Sequence, residues 1–204
     1  MAFPSDAASR PGVTAGLVDA RYGRPVADAL VASGAFTVDM RMARDRWFRW
    51  KSGILAPCGC NCRRLNTLPV FRRLVDDALA DAVRSAFPDA AYVVAVAHAG
   101  IPWAKTLAER LDLPLAYVRS EARSTARAIQ ALLAETDLRV AGIQSIANWG
   151  FPEMRTLLAP WPVRALTSYP QVVASAQEAG LVNAADVGQL LHFYADPRQH
   201  SWSA

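Results

Sequence analysis

Several features are missing from this chain of 204 residues, and each absence excludes a class of protein. No apolar run approaches the roughly 18 residues that a membrane-spanning helix needs, so we predict no membrane span and no membrane partner. The first six residues lack a basic stretch followed by an apolar one, so they do not read as a secretory signal. We therefore expect a cytoplasmic protein.

Cysteine and histidine are scarce, with three residues of each. The cysteines are Cys58, Cys60 and Cys62, and in an extended segment this spacing would place all three thiols on one face. Three thiolates on one face can bind zinc or copper, although zinc sites usually separate paired cysteines by two residues and need a fourth ligand. The alternative is that the thiols are reduced and pack as small apolar groups. A disulfide within an extended Cys-x-Cys segment is geometrically unfavourable.

The net charge is +4, and arginine carries much of it. The segment 41–50 interleaves arginine with tryptophan and phenylalanine, a pattern that can bind single-stranded nucleic acid. No nucleic-acid recognition motif accompanies it, and an arginine-rich strand edge in solvent is the simpler interpretation. We therefore predict an anionic small molecule, rather than nucleic acid, as the partner.

The stretch from Val93 to Pro102 is the most informative part of the chain. A short apolar run ends in a turn of small residues at 97–100 and opens into an amphipathic segment that reaches Leu111. This pattern is typical of a buried parallel strand that meets a helix N-terminus, where free backbone N–H groups favour an anion. A second strand pattern, at 115–119, follows at once.

Extended and helical patterns alternate after residue 67 and predict an α/β core with a mainly parallel sheet. We predict a flexible arm over 1–16, a helix and small hood over 17–66, and the α/β core over 67–204. Such sheets bind ligands at the carboxyl ends of their strands, where we expect His98, Ala99, Gly100, Arg119 and Asn148. The predicted strands are 36–40, 47–51, 54–60, 92–97, 115–119, 138–146 and 163–166. The predicted helices are 25–33, one capped at 66–67 that runs to 86, 101–111, 124–135, 152–158, 168–180 and 184–194.

Five segments resemble orotate phosphoribosyltransferases, and the resemblance extends from about residue 30 to residue 202. They are Leu-Val-Ala-Ser-Gly-Ala-Phe at 30–36, Trp-Lys-Ser-Gly-Ile-Leu-Ala-Pro at 50–57, Ala-His-Ala-Gly-Ile-Pro at 97–102, Tyr-Val-Arg at 117–119, and the closing stretch 166–197. The resemblance implies a phosphoribosyltransferase-like three-layer core with a small N-terminal hood. It also implies a homodimeric transferase of pyrimidine biosynthesis, which joins orotate to phosphoribosyl pyrophosphate and, if active, uses Mg²⁺.

The same resemblance implies roles for individual residues. Lys51 would line the pyrimidine pocket, the segment 97–102 would receive pyrophosphate, and Arg119 would contact the phosphoribosyl donor. Lys51, Arg119 and His98 are therefore the candidate catalytic residues. The candidate substrate-binding and phosphate-binding residues are Cys58, Gly59, Ala99, Gly100, Arg123 and Asn148.

Three parts of the family pattern have no counterpart in this sequence. The mobile catalytic loop is missing after Arg119, and so is the strand that ends in two acidic residues and a Thr-Gly-rich loop. Backbone N–H groups of such a loop cradle a phosphate, and the acids orient the ribose and the metal ion. The only adjacent carboxylates, at 76–77, lie within a predicted helix, and Asn-Trp at 148–149 replaces the family's Asp-Arg pair. The chain therefore resembles a family member from which one loop and one central strand were excised near Arg123.

Three functions are compatible with this sequence. The first is a diverged protein that has a binding or altered catalytic role at a retained pyrimidine or phosphate pocket. The second is an active orotate phosphoribosyltransferase whose donor site uses Lys51, Arg119 and Arg123. The third is new chemistry with Lys51, a cysteine or His98, which at a helix N-terminus can act as a base, although a capping or packing role explains His98 as well. We favour the first function, because the missing parts are those that catalysis needs.

Overall fold

The computed structural model describes residues 18–41, 47–50, 53–119, 125–151 and 156–197. Within these ranges, strands and helices alternate between residues 93 and 148, whereas the N-terminal part contains four successive strands. The strands are β1 Phe36–Val38, β2 Phe48–Arg49, β3 Leu55–Ala56, β4 Cys58–Cys60, β5 Val93–Val96, β6 Leu115–Val118, β7 Ile143–Asn148 and β8 Val163–Ser168. The helices are α1 Gly23–Ala32, α2 Arg63–Asn66, α3 Pro69–Ala86, α4 Ile101–Leu111, α5 Thr125–Glu135, α6 Tyr169–Glu178 and α7 Ala184–Ala195.

The parallel sheet consists of two separate pairs of strands. β5 pairs with β6, with Val93 opposite Leu115, and β7 pairs with β8, with Ile143 opposite Val163. Over the described ranges, the second edges of β5 and β7 have no strand partner. The mainly parallel α/β fold class is confirmed, and the division into two pairs matches the prediction that one central strand is missing.

Two short antiparallel pairs form the hood, in which β1 pairs with β4 and β2 pairs with β3. The sequence predicts one extended arm over 54–60, but Pro57 divides this arm into β3 and β4. Proline has no N–H to donate to a strand ladder, so pairing with β2 stops there. The Pro57 carbonyl instead accepts a hydrogen bond from the backbone N of Asp39 at 2.9 Å, and β4 continues beside β1.

Local signals fix where three of the helices begin or end. Helix α1 ends just before Gly34, whose φ of +66° lies in the left-handed region that glycine adopts readily. Pro69 opens α3 at a position where its missing N–H leaves no bond unmade. Helix α6 follows Ser168, whose backbone N donates a hydrogen bond to the side-chain oxygen of Gln171 at 3.2 Å.

Several boundaries differ from the sequence-based expectation, and three of them are informative. Strand β7 begins at Ile143 rather than at 138, because its partner β8 begins only at Val163. Strand β8 continues to Ser168 instead of ending at 166. The one-turn helix α2 was not predicted, and it moves the N-cap of α3 to Leu68. Residues 124 and 152–155, which we assigned to helices, lie outside the described residues.

One hydrophobic core joins the hood, α1, α3, α4 and the C-terminal elements. Its largest fully buried side chains come from segments distant in the sequence: Leu30, Phe36, Leu65, Leu166, Tyr169, Leu190 and Phe193. A smaller cluster lies under α5, where Ala126, Ile129 and Leu158 are buried. No helix in the described part of the chain is long and apolar enough to cross a membrane.

Candidate functional site

The turn that follows β5 is the first part of the candidate site. The backbone N of Gly100 donates to the carbonyl of Val96 at 3.1 Å, and the N of Ala97 donates to Val118 of β6 at 3.0 Å. A Cβ at Gly100 would lie 2.8 Å from the Val96 oxygen, so glycine is needed for this close approach. The peptide bond between Ala97 and His98 is cis. Helix α4 starts directly after the turn, and the positive end of its dipole there favours an anion. The backbone N of Ile101 already donates to the carbonyl of His98 at 3.3 Å, and Pro102 has no N–H.

The predicted ligand-binding residues of this half are accessible. His98, Ala99 and Arg119 are exposed, and Gly100 is half-buried. Because β5 and β6 pair in parallel, the turn after β5 and Arg119 after β6 lie at the same edge of the pair. Two other predicted residues, Lys51 and Arg123, lie outside the described residues.

An aromatic cluster that sequence reasoning did not identify lies beside the ends of β7 and β8. Tyr169 and Tyr194 stack with ring centroids 5.1 Å apart, and Trp149 meets Tyr169 edge-on at 5.2 Å. From the hood, Trp50 meets Phe193 edge-on at 5.5 Å. The members of the aromatic cluster are Trp50, Trp149, Phe151, Tyr169, Phe193 and Tyr194. The cluster connects the hood to the C-terminal strands and occupies the space next to the end of β7.

Cys58 is buried between the hood and the aromatic cluster. Its Sγ lies 3.4 Å from the hydroxyl oxygen of Tyr169, and its carbonyl accepts a hydrogen bond from Trp50 Nε1 at 2.9 Å. Burial raises the pKa of Cys58 to about 12 and also raises the pKa of Tyr169, so both groups are neutral near pH 7. The neighbouring Gly59 is half-buried, and a Cβ there would lie 3.3 Å from the ring of Phe48. Because Trp50 Nε1 donates to it, the Cys58 carbonyl is already used within the protein.

Asn148 is the last residue of β7, and its side chain fixes the turn that follows. Its Oδ1 accepts a hydrogen bond from the backbone N of Gly150 at 2.7 Å. Gly150 has a φ of +69°, and a Cβ there would lie 2.6 Å from the hydroxyl oxygen of Tyr194. Both conditions require glycine, and the resulting turn presents Trp149 to Tyr169. Trp149 occupies the sequence position at which the resemblance leads us to expect an arginine.

A cavity of about 720 Å³ separates β5 from β7. Val93–Val96 line one wall, residues 143–147 line the opposite wall, and the cavity reaches Ala99 and Gly100 of the turn. In a packed sheet, one residue takes up about 3.3 Å along its strand, about 4.8 Å between strands and about 10 Å between layers. The product of these lengths is the volume of one strand residue, so the cavity volume corresponds to about four or five residues of one strand. The buried Oε1 of Gln144, on the β7 wall, has no hydrogen-bond partner. The cavity therefore has the size of the strand that the sequence lacks.

The carboxylates that would hold Mg²⁺ beside a ribose phosphate do not lie at this edge. Asp76 is buried in α3, and its neighbour Asp77 pairs with Arg110. Across the ranges that the structure describes, no three His, Cys, Asp or Glu side chains stand close enough together to hold a metal ion. Mg²⁺ at a phosphate site needs only one or two carboxylates beside the substrate's phosphates. Among the described residues, the adjacent pair Asp76 and Asp77 lies within α3 and does not supply them at the strand ends.

The segment with the three cysteines is extended only as far as Cys60. Cys62 has φ −57° and ψ −17°, which is helical backbone, and it precedes α2. The Sγ atoms of Cys60 and Cys62 lie 3.8 Å apart, whereas Cys58 contacts Tyr169. The condition for all three thiols to share one face, an extended backbone, is not met at Cys62, because the chain turns between the second and third cysteine.

Comparison with known proteins shows that the chain is similar to orotate phosphoribosyltransferases. No protein-family model matches it. The orotate phosphoribosyltransferase of Bacillus caldolyticus is 30% identical over 182 residues, which cover 74% of this chain and 88% of the relative. That of Fusobacterium nucleatum is 27% identical over 176 residues, which cover 71% and 83%. Because 74% of 204 residues is about 151, about 30 residues of the 182-residue match with the first relative have no counterpart in this chain.

Solved structures show the same fold. The UMP synthase of Leishmania donovani superposes with a TM-score of 0.67 at 19% identity, covering 85% of this chain, which spans 42% of that longer protein. The orotate phosphoribosyltransferase of Aeropyrum pernix superposes with a TM-score of 0.62 at 21% identity, covering 78% of this chain and 99% of its own. Given the 30% identity to the Bacillus caldolyticus protein over most of both sequences, the chain belongs to the orotate phosphoribosyltransferase family.

Proposed function

We propose that this family member has diverged: it keeps a pocket for an anionic pyrimidine or phosphate compound but does not bind phosphoribosyl pyrophosphate in the usual way. The cavity of about 720 Å³ between β5 and β7 carries this proposal. It lies where the resemblance leads us to expect the strand with two acidic residues and a phosphate-cradling loop. A ribose phosphate there would meet the apolar side chains of β5 and the mixed side chains of β7, which include Gln144 and Ser145, instead of a ring of backbone N–H groups.

The retained half of the pocket supports anion binding. The turn at 97–100 stands at the N-terminus of α4, and the exposed Arg119 lies at the same edge of the β5–β6 pair. A helix N-terminus and a guanidinium group both stabilise negative charge, and Arg119 can form two parallel hydrogen bonds to a phosphate. We propose that the backbone N–H groups of His98 and Ala99 bind the same anion, whereas Gly100, whose N donates to the Val96 carbonyl at 3.1 Å, shapes the turn.

The pyrimidine side of the pocket supports a changed ligand. The indole of Trp149 cannot form the bidentate ion pair that an arginine forms with a carboxylate, and its ring packs on Tyr169. The carbonyl of Cys58 is engaged by Trp50. These contacts favour a ligand that is held through its phosphate and not through the carboxylate of orotate.

The second candidate function is orotate phosphoribosyltransferase activity, which forms orotidine monophosphate from orotate and phosphoribosyl pyrophosphate. The 30% identity to a relative with that name favours it, as does Arg119 at the end of β6. The described residues offer no carboxylate pair for Mg²⁺ at the strand ends, so the donor would need groups that the rest of the family does not use.

We also propose that the protein forms a homodimer through this side of the fold. Large apolar side chains are exposed on and near the β5–β6 pair and in the hood: Phe48, Tyr92, Leu115 and Tyr117. A second copy that covers them would remove this apolar area from water. Light scattering at micromolar concentration should give twice the chain mass of 22.1 kDa, and a monomer would contradict the proposal.

Calorimetric titration and a turnover assay test the proposed function together. We expect inorganic pyrophosphate to bind, phosphoribosyl pyrophosphate with Mg²⁺ to bind no more than about threefold more tightly, and orotidine monophosphate not to form. Gly100→Ala should weaken pyrophosphate binding at least tenfold because the new Cβ meets the Val96 carbonyl. Gly188→Ala is the matched control, because a Cβ there meets nothing within 4 Å. Formation of orotidine monophosphate would overturn the proposal in favour of the second candidate.

A further inference from the structure

Two half-buried thiols, those of Cys60 and Cys62, lie side by side between the hood and α3. Their Sγ atoms are 3.8 Å apart, and both cysteines are free. Sulfur atoms in a disulfide are about 2.05 Å apart, so closing the bond requires a movement of less than about 2 Å. Small rotations of two side chains can supply such a movement.

The local backbone explains why residues two apart can meet. Cys60 ends β4 opposite Phe36 of β1, and the backbone N of Asn61 donates to the carbonyl of Ala35 at 2.8 Å. Cys62 then adopts helical backbone angles. The change from extended to helical backbone at this point brings the Cys62 thiol next to that of Cys60, an arrangement that a fully extended segment does not allow.

The thiols of Cys60 and Cys62 differ from that of Cys58 in accessibility and in their electrostatic surroundings. Cys58 is fully buried, whereas Cys62 lines the large cavity between β5 and β7 and can be approached from there. The hydrogen bond from the Cys60 thiol lowers the pKa of Cys62, the positive charge of Arg63 acts in the same direction, and the same hydrogen bond raises the pKa of Cys60. Since the thiolate is the nucleophile in disulfide exchange, Cys62 is the attacking group.

We propose that Cys60 and Cys62 form a dithiol site that exchanges with low-molecular-weight disulfides and closes to an intramolecular disulfide. This site does not depend on the function proposed above. Its substrate class is a small disulfide such as oxidised glutathione, which can enter the cavity that Cys62 lines.

The exchange proceeds in two balanced steps. The Cys62 thiolate attacks one sulfur of the small disulfide, forms a mixed disulfide and releases the other half as a thiolate. Cys60 then attacks Sγ of Cys62, closes the intramolecular bond and releases the second half. In total the two protein thiols lose two electrons and two protons, and the small disulfide gains them to become two thiols.

Mass spectrometry of the full-length protein tests the site. After exposure to oxidised glutathione, acid quenching and alkylation, we expect the wild type to lose two hydrogens and to keep one alkylatable thiol, that of Cys58. Cys58→Ser should close to the same extent, because it leaves the pair intact. Cys60→Ser should stop at a mixed disulfide on Cys62, and Cys62→Ser should form adducts at least tenfold more slowly.

Two comparisons make the result decisive. Serine at position 60 keeps an O–H donor for the Cys62 thiolate and alanine does not, so Cys60→Ala should form the mixed disulfide about threefold more slowly than Cys60→Ser at pH 7.

Independently of any variant, the wild type should bind one equivalent of a trivalent arsenical, which bridges two neighbouring thiols. Three alkylatable thiols after oxidation, no arsenical binding, or a disulfide that disappears in Cys58→Ser would each overturn the proposal.

Discussion

The two parallel strand pairs differ in how fully the rest of the chain covers them. In β8, Leu166 and Thr167 have no exposed surface, whereas in β6, Leu115 and Tyr117 are 39% and 65% exposed. Helices α1 and α6 pack against β8, and a bridge from Val18 adds to its side. Strand β6 contacts α4 and α5, yet one of its faces stays open.

This difference separates a well-buried strand of the core from the edge that we propose binds a ligand. A buried aliphatic or aromatic side chain contributes about 1.5–3 kcal/mol relative to an exposed one, so β8 contributes more stabilising burial than β6. The β5–β6 half carries the exposed turn at 97–100 and Arg119. The missing strand would connect the two halves, and without it each pair depends on its own helices and on α3 and the hood.

Filling the cavity between the halves should produce the largest effect. We expect that inserting after Arg123 the roughly 30 residues that the Bacillus caldolyticus relative has and this chain lacks supplies a strand between β5 and β7. Three newly buried aliphatic side chains would add about 5–9 kcal/mol, which raises the melting temperature by at least about 10 °C for a protein of this size. Differential scanning calorimetry measures it. A Gly/Ser segment of equal length is the control, and equal melting temperatures would show that the cavity is not a strand site.

Replacing one tyrosine in each half by alanine is the most direct test of the difference in burial between the two halves. Tyr169→Ala removes a side chain that is 1% exposed and contacts two rings of the aromatic cluster, so we expect a loss of about 3–5 kcal/mol. Tyr117→Ala removes a side chain that is 65% exposed in the single chain. It should change the free energy of unfolding of the monomer, at a concentration at which a dimer dissociates, by less than about 0.5 kcal/mol. Urea titration measures both. A larger loss for Tyr117→Ala at micromolar concentration is what the proposed homodimer predicts, because a second copy would cover this face.

A smaller effect is expected at the turn of the less covered half. In Gly100→Ala the new Cβ would lie 2.8 Å from the Val96 carbonyl, and forcing the backbone apart should cost about 1–3 kcal/mol. Gly188→Ala, in the open part of α7, should instead stabilise the protein by about 0.5–1 kcal/mol through helix propensity. Thermal melts of both variants check the contrast. A melting temperature of Gly100→Ala that is no lower than that of the wild type would show that the turn relaxes without strain.

The smallest effect concerns α3, which contacts both halves. Burial raises the pKa of Asp76, although Arg110 and Arg72 act against it, and its Oδ1 has no hydrogen-bond partner. At a pH below 3.8, the usual pKa of an aspartate, this raised pKa stabilises the folded state. The stabilisation is lost as the pH rises through the raised pKa of Asp76. Asp76→Asn should therefore be about 1 kcal/mol more stable than the wild type at pH 7.

Melting curves from about pH 3 to pH 8 test this sign. The advantage of Asp76→Asn should shrink toward acid pH, where the wild-type carboxyl is protonated in both states. The control Asp77→Asn removes an exposed partner of Arg110 and should cost less than about 0.5 kcal/mol. A wild type that is more stable than Asp76→Asn at neutral pH would show that Asp76 has a partner that favours its charge.

Much of the fold could be predicted from the sequence because the signals act over a few residues. The predicted helix 101–111 has the bounds of α4, and the strand before it differs from β5 by one residue at each end. Where pairing with a distant segment decides the boundary, prediction failed. Residues 138–142 resemble a strand, but β7 starts only where β8 can pair with it, and Pro57 ends one pairing and allows another.

The candidate site divides in the same way. The turn at 97–100 could be predicted because a strand, a glycine and a helix start follow one another in the sequence. The aromatic cluster could not, because Trp50 is about a hundred residues away from Trp149 in the sequence and no local spacing connects them. The cysteine spacing was visible, but its meaning depended on whether the backbone between Cys60 and Cys62 is extended.

The sequence by itself determined the order of most strands and helices, the turn at 97–100 and the lack of a strand that ends in paired acids. These properties depend on residue type and on neighbours a few positions away. Only the tertiary structure decided that β5 and β7 stand apart around a cavity, that Trp149 packs on Tyr169, and that two thiols meet at 3.8 Å. Such contacts follow from the packing of distant segments and from local backbone turns, which residue spacing alone does not specify.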